Sequence, residues 1–145
     1  MTASELHQAM HTLADIITRH QWDRLPEILH HDVVFEYPQS GERFSGVSNV
    51  RAQFEQYPDL DPGSSELAEV IGEDAYALTP SYTVIRVEGS GTQGTAVIRV
   101  RYPDDSLWWA INLFEVRDGR IARLRSFFAP DFEAPEWRAP YRDAP

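Results

Sequence analysis

Cysteine and lysine are both missing from this chain of 145 residues. Without cysteine there is no thiol nucleophile, no disulfide and no thiolate metal site. Without lysine all 13 basic side chains are arginine, so neither a Schiff base nor a lysine general base is available. Positive charge is scarce in general. The 23 acidic residues leave a net charge of −10, which disfavours attraction to a phosphate backbone or an anionic membrane, and no nucleic-acid or membrane partner is expected. No apolar run approaches the ~20 residues of a membrane span, and MTASELHQAM has neither a basic start nor an apolar stretch. Internal repeats and low-complexity segments are absent too. The resulting expectation is one cytoplasmic domain over residues 1–145, large enough to bury roughly 70% of its unfolded surface.

What is present is organised around residues 107–128, LWWAINLFEVRDGRIARLRSFF. Two extended runs flank Asp118-Gly119, a dipeptide that supplies positive φ at a tight hairpin turn. Alternation puts Trp108, Ala110, Asn112, Phe114 and Val116 on one face of the first run, with Trp109, Ile111, Leu113, Glu115 and Arg117 on the other. In the second run Ala122, Leu124, Ser126 and Phe128 share a face, and Arg123 and Arg125 share the opposite one. The first face is apolar with a few polar atoms, which is how small-molecule pockets are built. The second mixes large apolar groups with arginine, the types enriched at protein interfaces. A homodimer through Trp109, Ile111, Leu113, Arg123 and Arg125 is therefore expected, with Arg99 and Arg101 beside them on the neighbouring strand.

Upstream, Ser4 is a plausible cap for a first helix in which Leu6, Met10, Leu13 and Ile17 recur at helical spacing through about His20. A second helix is predicted after Trp22, with Asp23 as cap and Leu25, Ile28 and Leu29 inward. It leads to a short strand, Val33 to Tyr37, that Pro38 stops. Phe35 and Tyr37 point one way along it and Glu36 the other. Gly41 and Gly46 punctuate a loop, and Val47, Val50, Phe54 and Tyr57 mark a third helix ended by Pro58. After a loop over 59–65 come strands at 67–71, 76–87 and 95–102, the last two joined by EGSGTQG at 88–94. Helices first and antiparallel strands later is the α+β pattern, with helices packed on one face of the sheet. Residues 130–145, rich in proline and carrying Phe132, Trp137 and Tyr141, read as an ordered strap that either closes a pocket or grips a partner subunit.

Tyr37 and Asn112 are polar groups facing an apolar interior and need hydrogen-bond partners there. A ligand carbonyl would supply one; backbone, ordered water or each other would serve equally in an ordinary core. Trp108 and Phe128 are walls of a pocket or members of that core. His7, His11 and Asp15 repeat every fourth residue, a spacing that could hold a metal, yet no glutamate adjoins them and the stripe borders outward positions. It reads as a solvated flank, and no metal is expected. His30-His31 reads as a pair at a helix end, interacting with the dipole. EGSGTQG precedes no helix and is only a hairpin loop.

The order helix, helix, short strand, helix and four-stranded meander, with HDVVFEYP after the second helix and FEVRDGRIARLRSFF near the end, resembles the nuclear transport factor 2-like superfamily. Within it the chain is similar to the SnoaL-like polyketide cyclases and the ketosteroid isomerases over about residues 5–130. The resemblance implies a cone, a curved sheet wrapped around three helices with the ligand in its mouth; the activity has to be argued from the site. It places Tyr37 where a ketosteroid isomerase has its general-base aspartate and Asn112 where that family has a hydrogen-bond-donating carboxylic acid. It puts Leu13 near the oxyanion tyrosine and Ser126 where the cyclases have an acid-base aspartate. Scytalone dehydratase is similar in having a tyrosine at the position of Tyr37, but its histidines lie later in the chain, and here every histidine is at or before His31.

Neutral groups thus replace the proton-shuttling carboxylates. Asp131 and Glu133, just after the last strand, are placed to reach over a cone mouth, and desolvation would raise the pKa of either into the range of a substitute base. Two readings follow. One is a cofactor-independent isomerase, cyclase or dehydratase acting on a hydrophobic oxygenated substrate, polyketide- or terpenoid-like, with Tyr37, Asn112 and Asp131 at its centre. Leu13, Trp22, Phe35 and Trp108 would line the substrate site together with Phe114, Leu124, Ser126 and Phe128. The other is a ligand-binding or dimerisation module of the same fold without turnover.

Overall fold

The structure, a computed structural model, describes residues 2–57, 69–71, 76–78, 82–102 and 104–143. Helix α1 (Ala3–Arg19) is started by a reciprocal cap: the Thr2 hydroxyl accepts the Glu5 N–H, and the Glu5 carboxylate accepts the Thr2 N–H. The cap is therefore Thr2 and not Ser4. Leu6, Met10, Leu13 and Ile17 are buried along one side, as their spacing predicted. His20, in the left-handed region at φ 54°, ends the helix.

The second helix is much shorter than its pattern suggested. A 3-10 turn at Trp22–Arg24 passes into a single turn, α2 (Leu25–Ile28), and the chain is extended from Leu29 onward. Strand β1 (Leu29–Tyr37) consequently absorbs His30 and His31, which do not stand at a helix end. Pairing decides this, since Leu29 already lies opposite Ile121 on the sheet. A second strand, β2 (Glu42–Ser45), occupies residues that read as loop and pairs antiparallel with the end of β1. Helix α3 (Val47–Glu55) follows Gly46.

Short strands β3 (Glu69–Ile71) and β4 (Tyr76–Leu78) pair with each other; Leu67, the expected start of the first, lies outside the described residues. The long strands are β5 (Tyr82–Ser90), β6 (Gln93–Arg101), β7 (Leu107–Arg117) and β8 (Arg120–Pro130). Strand β5 continues through Glu88-Gly89-Ser90, part of the expected connection, and turns only at Gly91-Thr92. Close packing explains one glycine there: a Cβ on Gly94 would sit 2.5 Å from Cζ of Phe114. At the tip of the β7–β8 hairpin Asp118 and Gly119 both have positive φ, 55° and 74°, as a primed two-residue turn requires.

The six strands form one curved, unclosed sheet in the order β2-β1-β8-β7-β6-β5, with β1 parallel to β8 and every other neighbour antiparallel. Its inner face closes on α1, α2 and α3 around a core that includes Leu13, Leu25, Phe35, Ile98, Phe114 and Leu124. Alternation along β7 follows the predicted two faces, with Ala110, Asn112, Phe114 and Val116 buried and Ile111, Leu113 and Glu115 outside. The fold is α+β. No helix among the described residues is long and apolar enough to cross a membrane.

Candidate functional site

Register brings the two central candidates to the same level of the sheet. Asn112 on β7 lies opposite Ser126 on β8, and Tyr37 on β1 is one residue beyond the Glu36–Arg125 pair, so Tyr37, Ser126 and Asn112 form a row on the inner face. They do not face a common space in the same way. Asn112 is wholly buried: its Oδ1 accepts the Ser126 hydroxyl, and its amide N–H groups donate to the carbonyls of Ala96 and Ala110 at 3.3 and 3.4 Å. Both ends of the carboxamide are satisfied inside the sheet. This is the ordinary-core arrangement.

Tyr37 is half-buried and turns away from that pair. Its hydroxyl donates to Oε1 of Gln53 on α3 at 2.6 Å, while the Gln53 amide donates to the Val50 carbonyl. Burial pushes the Tyr37 phenol well above the usual range, helped by nearby Tyr102 and Glu42 and opposed by the Gln53 hydrogen bond. Tyr102 is raised to about 12, first by burial and then by Tyr57. A phenol at its ordinary value is already protonated at neutral pH, so burial only carries that protonated form further into the alkaline range.

Around them lies a chain of rings. Tyr37 meets Phe128 edge-on at 5.2 Å and Phe44 at 5.2 Å; Tyr57 stacks on Tyr102 at 5.4 Å, and Tyr102 meets Trp108 edge-on at 5.6 Å. Tyr37, Tyr102, Trp108 and Phe128 are all half-buried, so each still shows some surface at this end of the sheet. Trp108 donates its indole N–H to the Ser106 hydroxyl at 3.0 Å. The Gln39 side chain clamps the end of β8, accepting the Phe128 N–H and donating to its carbonyl.

Of the other expected lining residues, Leu13, Phe35, Phe114, Leu124 and Ser126 are fully buried within the packed interior, and Trp22 stacks parallel to Phe54 at 6.2 Å. Those side chains belong to the packed core. Tyr102, Tyr57, Gln53 and Phe44 were missed by sequence reasoning. Only Tyr57 carried a signal, as a helical repeat position, because the remaining three meet Tyr37 through tertiary packing alone.

Asp131 departs most from expectation. Its two carboxylate oxygens each accept from Arg99, both at 2.6 Å, on the outer face of the sheet, where the Arg99 guanidinium also lies 4.2 Å over the Trp109 ring. The Arg99 hydrogen bonds hold its carboxyl below the ordinary range, opposite to the raised value a desolvated base would show. Its neighbour Glu133 is exposed.

The histidine pairs are accounted for by local bonds. His7 and His11 are exposed and stacked at 4.3 Å, while Asp15 pairs with Arg19 at 2.7 Å. His30, His31 and Asp32 bring ligand atoms within 4.8 Å of one another. His30 Nδ1 accepts the Asp32 N–H at 3.1 Å and its Nε2 faces Asp118 at 3.4 Å, so both ring nitrogens are already engaged. Two cavities walled by described residues, of about 600 and 390 Å³, open on the outer face of the sheet.

Comparison with known proteins gives a consistent fold. The model of a SnoaL-like domain matches residues 10–124. An NTF2-like protein of unknown function from Burkholderia xenovorans LB400 is 22% identical, covering 99% of this chain and 98% of its own, with a TM-score of 0.73. A protein from Kribbella flavida DSM 17836, provisionally named a ketosteroid isomerase, is 19% identical over 97% of this chain and 90% of its own, also with a TM-score of 0.73. An epoxide hydrolase of the LEH-like kind from M. tuberculosis is 18% identical over 87% of this chain and 84% of its own, with a TM-score of 0.60. No curated protein matches.

Proposed function

This chain belongs to the SnoaL-like domain family of the nuclear transport factor 2-like superfamily, and from that premise we propose that it takes a small, hydrophobic, oxygenated molecule at the aromatic end of its sheet and acts on it without a cofactor. The observation that carries the reading is the pair of half-buried phenols, Tyr37 and Tyr102, inside a frame of Phe44, Tyr57, Trp108 and Phe128. Apolar walls with a few fixed donors are the composition of a site for a ketone, an epoxide or an enone.

Such a site works by hydrogen-bond donation. A phenol directed at a carbonyl or epoxide oxygen stabilises the negative charge that develops there, Tyr37 by exchanging its Gln53 acceptor for the ligand oxygen, and the ring walls exclude water and hold the substrate in one orientation. Isomerisation, cyclisation and dehydration are the reaction types that this donation assists; one of the similar folds carries the name of a ketosteroid isomerase, and another that of an epoxide hydrolase, a hydrolysis in which a donor to the epoxide oxygen serves the same purpose. Proton removal by a carboxylate is not part of the reading, because Tyr37 is bonded to an amide and Asp131 to Arg99.

The second reading, binding without turnover, is favoured by Asn112. An amide that donates to two carbonyls and accepts from Ser126 has nothing left to offer a reacting atom. One experiment addresses both. The parent, Tyr37→Phe and Tyr102→Phe proteins are titrated with a panel of hydrophobic ketones and epoxides by native mass spectrometry, and each mixture is then assayed for product. Either substitution is expected to weaken binding by about tenfold, the worth of one good hydrogen bond. Equal binding by all three proteins would refute the site; retained binding with no product from any panel member would favour the second reading.

A further inference from the structure

Most hydrogen-bond donors at the aromatic end of the sheet are already committed. The Trp108 indole donates to the Ser106 hydroxyl, the Gln39 amide to the Phe128 carbonyl, and the Tyr37 hydroxyl to Oε1 of Gln53. Among the described residues the hydroxyls of Tyr57 and Tyr102 make no hydrogen bond. What stays open at Tyr37 itself is acceptor capacity, and that decides what a ligand there has to bring.

The acceptor has a fixed polarity. Gln53 stands on α3 one turn after Val50, whose carbonyl accepts the Gln53 amide at 3.0 Å. A backbone carbonyl can only accept, so the nitrogen end of the carboxamide faces Val50 and the oxygen end is turned to Tyr37. A flipped amide would set oxygen against oxygen at Val50. The helix that carries it is anchored as well: Val50 is wholly buried, and the Phe54 ring meets Phe35 edge-on at 5.9 Å and stacks parallel to Trp22.

A carboxamide oxygen has two lone pairs, and Tyr37 occupies one of those on Gln53. The phenol oxygen, with its hydrogen directed at Gln53, has only lone pairs left to offer. A ketone or an epoxide brings no hydrogen, so it enters by drawing the Tyr37 donor away and leaves the Gln53 oxygen without one. A hydroxyl needs no such exchange. It donates to the second lone pair of Gln53, or it stands between the two side chains, accepting from Tyr37 and donating to Gln53. In both positions every group is paired.

Building on the reading of the aromatic end as the ligand site, we propose that the ligand carries a hydroxyl group and that Gln53 selects for it, its Oε1 accepting the ligand O–H beside Tyr37. A carbonyl or epoxide oxygen on the same molecule is left to Tyr102, whose hydroxyl has no competing acceptor among the described residues. The substrate class is accordingly a hydrophobic alcohol or hydroxy ketone. A site built to bond a hydroxyl rejects the analogue that lacks it, because a polar group of the protein is then left unpaired.

The test uses two matched pairs of probes, menthol with menthone and borneol with camphor, titrated against the parent, Gln53→Leu, Gln53→Glu and Tyr37→Phe proteins, each checked by circular dichroism. The parent is expected to bind each alcohol about tenfold more tightly than its ketone. Gln53→Leu should weaken the alcohols by about tenfold and leave the ketones as tight or tighter, because the Tyr37 hydroxyl then has no rival acceptor. Gln53→Glu, which keeps an acceptor oxygen beside Tyr37, should restore the preference and so separates lost selection from a disturbed helix. A parent that binds ketone and alcohol alike, or an alcohol preference that survives Gln53→Leu, would overturn the proposal while the site itself stood, provided ketone binding still fell in Tyr37→Phe. Failure of both alcohols to bind the parent would overturn it too. Probes bound equally by the parent and Tyr37→Phe would remove the site, and this proposal with it.

Discussion

At the scale of single residues, the inner row Tyr37, Ser126, Asn112 divides between two roles that composition could not separate. The carboxamide of Asn112 is spent inside the sheet, so its replacement by leucine is a stability experiment: the buried Ser126 hydroxyl loses its acceptor. We expect Asn112→Leu to cost about 1–3 kcal/mol in denaturant unfolding while leaving ligand affinity unchanged. Tyr37 differs in its pH behaviour. Its folded-state pKa is raised above that of the unfolded chain, so its contribution is fully present below about pH 10 and is lost as pH rises beyond that, where the unfolded state ionises first. Stability of the parent should therefore fall above about pH 10, and the fall should be shallower in Tyr37→Phe, as read from unfolding midpoints across the alkaline range. Asp131 has the opposite sign. Arg99 depresses its pKa, so its contribution is lost on acidification, and Asp131→Asn should remove that part of the acid dependence. Asp131 is about half exposed, and solvent screening keeps the effect small.

At the scale of elements, the β6–β7–β8 hairpins carry the fold, and their fit is tight where Gly94 meets Phe114. A methyl group there would push against the ring of a side chain that is itself buried. Gly94→Ala is expected to destabilise by about 1–3 kcal/mol, measured as a lower denaturant midpoint with an unchanged slope. Helix α2 shows how an element can be overruled. Leu25, Ile28 and Leu29 have helical spacing, yet only one turn forms, because Leu29 and the residues after it gain a partner strand in β8. The stretch that became β2 had no strong strand signal in ERFS; it is extended because the end of β1 offers it an unpaired edge. In both cases the competing term is a long-range pairing, which local pattern does not contain.

At the scale of the whole molecule, the sheet presents two surfaces of different character: an inner one closed on the helices with an aromatic end, and an outer one bearing arginine around Ile111, Leu113 and Phe127. A ligand that binds the folded aromatic end and not the unfolded chain must raise the melting temperature as its concentration rises. We expect that shift for the panel members that bind in native mass spectrometry, and its loss in Tyr37→Phe. A ligand whose stabilisation survived in Tyr37→Phe would have to sit elsewhere, and the outer cavities beside Arg125 are the place to look for it.

The α+β class, the α1 heptad-like stripe, the two faces of β7 and the turn at Asp118-Gly119 were all legible in the linear chain, because periodicity and turn chemistry are local properties written in neighbouring residues. The exclusion of thiol and lysine chemistry was legible too, since a missing side chain is missing in every conformation. Only the tertiary structure decided that Tyr37 bonds Gln53, that Asn112 closes on Ser126, and that Asp131 belongs to Arg99 on the outer face. Each of those partners lies 14 or more residues away along the chain. Which polar groups meet across such distances is set by strand register and curvature, and these follow from how the whole sheet packs on its helices and not from any one stretch.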